Sequence, residues 1–174
     1  MRKILFLLIT AFWTLCAKAE LPAYLSFSTT IGTGISMSTP AHTPFSWQFT
    51  GYYNFSKRLS AGIGTGVSVY EKLLIPVFAD VKFDLAKPSK FALYAECGAG
   101  YSFAASRNSV GGFFLNPSIG MEYTISCRKK VSFAIGYEIQ KLRRLKKYEN
   151  GLFTATFEEH LDHNSISIKT GFCF

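Results

Sequence analysis

His163-Asn164-Ser165 carries the residue types of nucleophilic catalysis. A histidine that shares a strand face with a serine two positions on can take the hydroxyl proton, and a nearby acid can orient the imidazole. Glu158, Glu159, His160 and Asp162 stand just ahead of this pair. The chemistry on offer is acyl hydrolysis, and the competing reading is a polar junction between a loop and a strand.

A second group carries charge into segments that are otherwise strand-like. Asp80, Lys82, Asp84, Glu96, Glu122, Glu138 and Lys169 all fall on the polar register of their segments. Together they predict an interior polar network in which Lys82 and Lys169 bridge Asp80, Glu96, Glu122 and Glu138, helped by Gln48, Tyr52, Tyr70 and Tyr94. Five acids against two lysines leave that interior negative.

The third group is basic. In KLRRLKKY, residues Lys141, Arg143, Arg144, Lys146 and Lys147 form the densest positive run. Such a run suits anionic lipid phosphates, with a solvated strand extension as the plainer alternative. No nucleic-acid motif accompanies it. Cys97, Cys127 and Cys173 show no C-x-x-C spacing, which argues against a zinc site, and a Cys127–Cys173 bridge is the one pairing worth considering. No cofactor or metal site is expected.

These residues need elements to hold them. Period-two alternation picks out eight segments: Leu25–Met37, Phe45–Phe55, Leu59–Val69, Ile75–Leu85, Phe91–Phe103, Phe113–Ile125, Val131–Ile139 and Ile166–Phe174. In each, one register is mainly apolar and often aromatic, as in Phe113, Leu115, Ile119, Met121, Tyr123 and Ile125. The other register holds Ser, Thr, Gly and the charges. Glycine is frequent there, at Gly62, Gly64 and Gly66 for example, which suits a crowded barrel interior and would only weaken a solvated face.

The connections SKR, AKPSK and SCRKK are short and basic, whereas the one between Ile139 and Ile166 is long. Within that stretch Asn150-Gly151 signals a hairpin, so it is expected to form either an ordered β-ribbon or a mobile loop.

The start of the chain reads as a secretory leader. Arg2 and Lys3 precede the apolar run Ile4–Cys16, and Ala17-Lys18-Ala19 is a small-x-small cleavage site. A cleaved signal peptide over 1–19 and one domain over 20–174 are expected. Losing Arg2, Lys3 and Lys18 takes the basic count from 19 to 16 against 11 acids, so the net charge falls from +8 to +5.

The segments FSKRLSAGIGTGVSVY, LLIPVFADVKFDL, KFALYAECGAGYSF, GGFFLNPSIGMEY and VSFAIGYEIQ resemble the small outer-membrane β-barrel family of Gram-negative bacteria, the OmpA/OmpX-like and porin-like eight-stranded proteins. The resemblance implies an all-β fold: an eight-stranded antiparallel up-and-down transmembrane β-barrel in the bacterial outer membrane. It also implies a C-terminal assembly signal at Ile166, Ile168, Phe172 and Phe174. Expected partners are outer-membrane lipids, lipopolysaccharide and the assembly machinery, with the protein monomeric.

A barrel this narrow is filled by side chains, which disfavours a porin. The expected function is therefore non-enzymatic: structural, adhesive or surface-interacting. A long strand-seven to strand-eight ribbon would resemble the OmpX kind of barrel, associated with adhesion by strand addition. The alternative is a lipid A-modifying acyl hydrolase, since His163 and Ser165 resemble the pair of the lipid A deacylase family. The asparagine that follows the serine in that family is replaced by Ile166.

Overall fold

The computed structural model describes residues 24–37, 43–70, 73–85, 90–105, 109–126, 129–150 and 153–174, with the side chains of 109, 144–150 and 153–161 left aside. The expected leader lies outside these residues, as do Lys87, Cys127 and Arg128 with any bridge Cys127 would make.

Strand follows strand in antiparallel order: β1 (Leu25–Ser36), β2 (Phe45–Asn54), β3 (Leu59–Val69), β4 (Leu73–Asp84), β5 (Phe91–Ala104), β6 (Ser109–Val110), β7 (Gly112–Ser126), β8 (Lys129–Asn150) and β9 (Phe153–Cys173). The short β6 pairs with β8 just above β7 and continues the same wall, so the barrel has eight staves. Closure comes from β9 lying against β1, from Ser28↔Cys173 to Ser36↔Ser165. This all-antiparallel closed barrel is the architecture expected from the alternation.

The alternation survives as two surfaces. Ile31, Ile63, Val77, Val81, Ile119 and Ile135 are exposed on the outside, with Ile63 at 77 %. Aromatic rings band both ends of this surface. Tyr24–Tyr53, Phe91–Tyr123 and Phe172–Phe174 ring pairs lie near the chain termini, and Tyr101–Phe103 lies toward the other end. An apolar belt between aromatic girdles matches a bilayer; in water, so large an apolar surface would drive aggregation. No helix among the described residues is long and apolar enough to cross a membrane, so the crossing falls to the strands.

The interior is filled by setting large side chains against glycines. Phe78 pairs with Gly64 on one side and Gly100 on the other, and Gly100 in turn pairs with Phe114. A Cβ on Gly64 would come within 2.4 Å of the Phe78 ring, so that glycine supplies the space the ring occupies. Tyr94 likewise lies opposite Gly120.

Two prolines stand in strand interiors. The β3–β4 pairing skips from Thr65↔Val77 to Ser68↔Leu74 around Pro76, and the β7–β8 pairing skips from Leu115↔Ile139 to Ser118↔Gly136 around Pro117. Proline has no N–H for the ladder, so each leaves a local gap while the strand stays paired to β5 on its other side.

The largest departure from the sequence expectation is at the last two strands. The seventh predicted segment ended at Ile139 and the eighth began at Ile166, but β8 has 22 residues and β9 has 21. Spanning a bilayer takes about 9–11. Their pairing runs without a break from Lys130↔Cys173 to Asn150↔Phe153, so the long connection is a β-ribbon. Periodicity missed it because KLRRLKKY lies beyond the lipid, where nothing demands an apolar face.

Candidate functional site

The inward side chains form three storeys. At the periplasmic end, where the termini and short turns lie, Glu122 is buried and receives two ammonium groups, from Lys82 and from Lys130 at 2.9 Å. Lys82 Nζ also sits 4.6 Å from the centre of the Tyr94 ring, where the ring face attracts a cation. The Cys173 thiol points into this storey, 3.4 Å from Ser28 Oγ and 3.6 Å from Glu122.

In the middle, Lys169 donates to Glu96 and to Ser118 Oγ, each at 3.2 Å, while Ser118 donates to Glu96 at 2.8 Å. The Tyr52 hydroxyl donates to Asp80 Oδ2 at 2.5 Å. Gln48, Asp80, Glu96, Asn116 and Lys169 line a small cavity with room for about one water molecule.

The upper storey is partly apolar. Phe78 and Phe114 meet with ring centres 5.3 Å apart, and Tyr70, Leu74 and Leu142 pack together above them. The Tyr70 hydroxyl donates to Glu138 at 2.6 Å, Asn116 Nδ2 donates to its other oxygen at 3.2 Å, and Ser102 donates to Gln140 at 2.7 Å.

The charged residues singled out in the sequence therefore come together as separate clusters. Lys82 joins Glu122, Lys169 joins Glu96, Asp80 is held by Tyr52, and Glu138 by Tyr70 and Asn116. Asp84, at the end of β4, joins none of the ion pairs among the described residues.

Two assignments change. Lys130 had been grouped with the basic turns, but it enters β8 and turns inward to Glu122. Phe78, Leu74, Phe114 and Leu142 sit on the register assumed to be polar. For Phe78 and Phe114 the available signal was the glycines on neighbouring strands, Gly64 and Gly100, which leave room for a ring opposite.

His163 and Ser165 stand where the β1–β9 pairing ends, at Ser36↔Ser165. Both lie inside the barrel, 3 % and 0 % exposed, and the His163 ring stacks on Tyr70 with centres 5.3 Å apart. Asp162 is exposed on the opposite register and pairs across the strand with Lys141, so it does not orient the imidazole. Lys141 and Arg143 are exposed, while Arg144, Lys146 and Lys147 continue into the ribbon. Among the described residues no cluster of three or more His, Cys, Asp or Glu is arranged to hold a metal ion.

A closed eight-stave barrel with an apolar, aromatic-banded exterior and a polar interior is a transmembrane β-barrel. Comparison with solved structures specifies the type. The chain is similar to Neisserial surface protein A, with TM-score 0.62 and 12% identity over 87% of this chain and 96% of that one. It is similar to the outer-membrane protein OprG from Pseudomonas aeruginosa, with TM-score 0.61 and 11% identity over 87% and 95%. It is also similar to the outer-membrane protein AlkL, with TM-score 0.53 and 12% identity over 90% and 94%. No family model and no curated protein matches it. The chain has the fold of the small outer-membrane β-barrels, and its outer surface is built for a bilayer.

Proposed function

We propose that this is a non-enzymatic barrel of the outer membrane, its lumen closed by its own side chains, which acts through the β8–β9 ribbon it projects outward. One observation carries this reading. The last β8 partner in β6 is Ser109↔Arg144 and the last β9 partner in β1 is Ser36↔Ser165, yet β8 and β9 stay paired to Asn150↔Phe153. Among the described residues, the outer edges of 145–150 and 153–162 carry no further strand. Exposed edges are templates for strand addition, the physical basis of many adhesive contacts.

A basic arm at Lys141, Arg143, Arg144, Lys146 and Lys147 would lie near lipopolysaccharide phosphates at the base of this ribbon. The inward placement of His163 and Ser165 counts against the acyl hydrolase reading, because an acyl chain in the bilayer has no path to a fully buried hydroxyl.

The test exchanges residues 145–158 for a two-residue Asn-Gly turn and compares cells carrying equal surface amounts of folded barrel. Adherence is expected to fall several-fold. Equal adherence with an intact barrel would overturn the adhesive role, and a change in lipid A mass that depends on Ser165 would reinstate the enzyme.

A further inference from the structure

At the periplasmic end of the barrel, Lys57, Arg58, Lys90 and Lys129 are exposed, and none of them joins an ion pair among the described residues. They stand in or beside the β2–β3, β4–β5 and β7–β8 connections, which occupy three sides of the rim and leave the fourth to the chain ends. The sequences SKR, LAKPSK and SCRKK at those connections contain no acid, whereas YEKL and the ribbon at the opposite end carry both signs. Asp84 lies beside Arg58, its N–H donating to the Arg58 carbonyl at 2.8 Å. Its side chain is on the lumen register, half-buried, and makes no ion pair with Arg58.

The neighbours of each base set its depth. Phe55 donates its N–H to the Leu59 carbonyl at 3.0 Å, which closes the first turn with Lys57 and Arg58 between two exposed apolar side chains. Lys90 precedes Phe91, whose exposed ring lies 4.9 Å from that of Tyr123, and its carbonyl accepts from Thr124 at 2.9 Å. Lys129 pairs with Ser126, next to the exposed Ile125. Cations beside an aromatic girdle stand where hydrocarbon gives way to headgroups, and their methylene stems can lie along the apolar surface while the charge reaches outward. That plane holds the phosphates of the membrane's own lipids. A polymer farther from the membrane would meet only the turn tips and gain nothing from the apolar residues around them.

We propose that the periplasmic rim is a binding ring for anionic phospholipid, in which Lys57, Arg58, Lys90 and Lys129 hold phosphatidylglycerol-like headgroups of the periplasm-facing leaflet. The ring is separate from the ribbon and independent of its role. Lys130 is not part of it, because its ammonium is turned to Glu122.

The barrel is folded into phosphatidylcholine vesicles carrying a trace of spin-labelled phosphatidylglycerol or spin-labelled phosphatidylcholine, and the motionally restricted fraction of each label gives their relative association. Phosphatidylglycerol is favoured about two- to fivefold at low salt, since one base near the surface supplies about fivefold at its own position. The preference disappears at about 1 M sodium chloride, where the screening length falls to about 3 Å. Replacing Lys57, Arg58, Lys90 and Lys129 together by Gln brings the ratio to equality, whereas Lys141→Gln with Arg143→Gln at the opposite end leaves it unchanged. Should the fourfold variant fail to fold, Lys90→Gln with Lys129→Gln removes about half of the preference. Equal association of the two labels with the wild-type barrel would overturn the proposal. So would a preference that survives the rim variants and is lost with Lys141→Gln and Arg143→Gln. Retention of the solubilised barrel by isolated peptidoglycan, with no lipid preference, would make a wall polymer the partner and overturn it equally.

Discussion

Removing the Lys169 ammonium group while keeping its bulk, as in Lys169→Met, is expected to destabilise the barrel by about 3–5 kcal/mol, the usual cost of stranding one member of a buried ion pair. The side chains of Lys169 and Glu96 are 6 % and 12 % exposed and 3.2 Å apart, and at an effective dielectric constant of about 20 the Coulomb attraction is about 5 kcal/mol. Ser118 also loses a donor in the variant, while its own bond to Glu96 persists. The assay is urea-dependent folding into lipid vesicles. It is followed by the fluorescence of Trp47, which faces the lipid, and by the heat-dependent gel shift of the folded barrel. Lys130→Met provides the internal scale. Its side chain is 38 % exposed and Lys82 still serves Glu122, so its loss is expected to cost about 1 kcal/mol or less. Glu96→Gln combined with Lys169→Met should recover most of the stability, since neither charge is then stranded. A Lys169→Met barrel within about 1 kcal/mol of wild type, or one no less stable than Lys130→Met, would refute the claim that this pair is structurally important.

Gly64→Val places a side chain where the Phe78 ring lies and should cost about 1–3 kcal/mol in the same titration, with Phe78→Ala in the same chain relieving much of it. Cys97 faces the lipid and Cys173 the lumen, so in a Cys127→Ser background a lipid-soluble maleimide should label Cys97 in folded vesicle-bound protein while Cys173 reacts only after unfolding. Equal labelling rates would contradict the assigned faces. Deleting Phe174 removes both backbone hydrogen bonds it makes with Phe27, each 2.9 Å, and the ring contact beside them. Membrane assembly in cells should slow, and normal insertion of the truncation would count against a role for the C-terminal aromatic in assembly.

Most of the wall was legible locally. Alternation such as Phe113, Leu115, Ile119, Met121 and Tyr123 marks which register meets lipid, because a strand half in hydrocarbon must be apolar on every second residue. Alternation gave no signal where lipid stops constraining the chain; there the Asn150-Gly151 turn pointed to a hairpin, and only the backbone pairing decided for an ordered ribbon over a mobile loop. Alternation misled inside the barrel, where volume rather than polarity decides the occupant. Phe78 and Phe114 are inward because glycines on adjacent strands leave space for rings.

The sequence by itself determined the strand class and the division between lipid and lumen, since both follow from period two along a single strand, while the inward turn of Lys130 emerged only in the structure. Which charges meet was decided only by closure. Lys82 and Glu96 are direct neighbours across β4 and β5, yet Lys82 reaches past β5 to Glu122 on β7, and Glu96 is taken by Lys169 from β9. In a closed barrel the inward side chains converge on one axis, so groups on distant staves come into contact and adjacent ones need not pair. That convergence also set the buried His163 ring against Tyr70, beyond the end of β3.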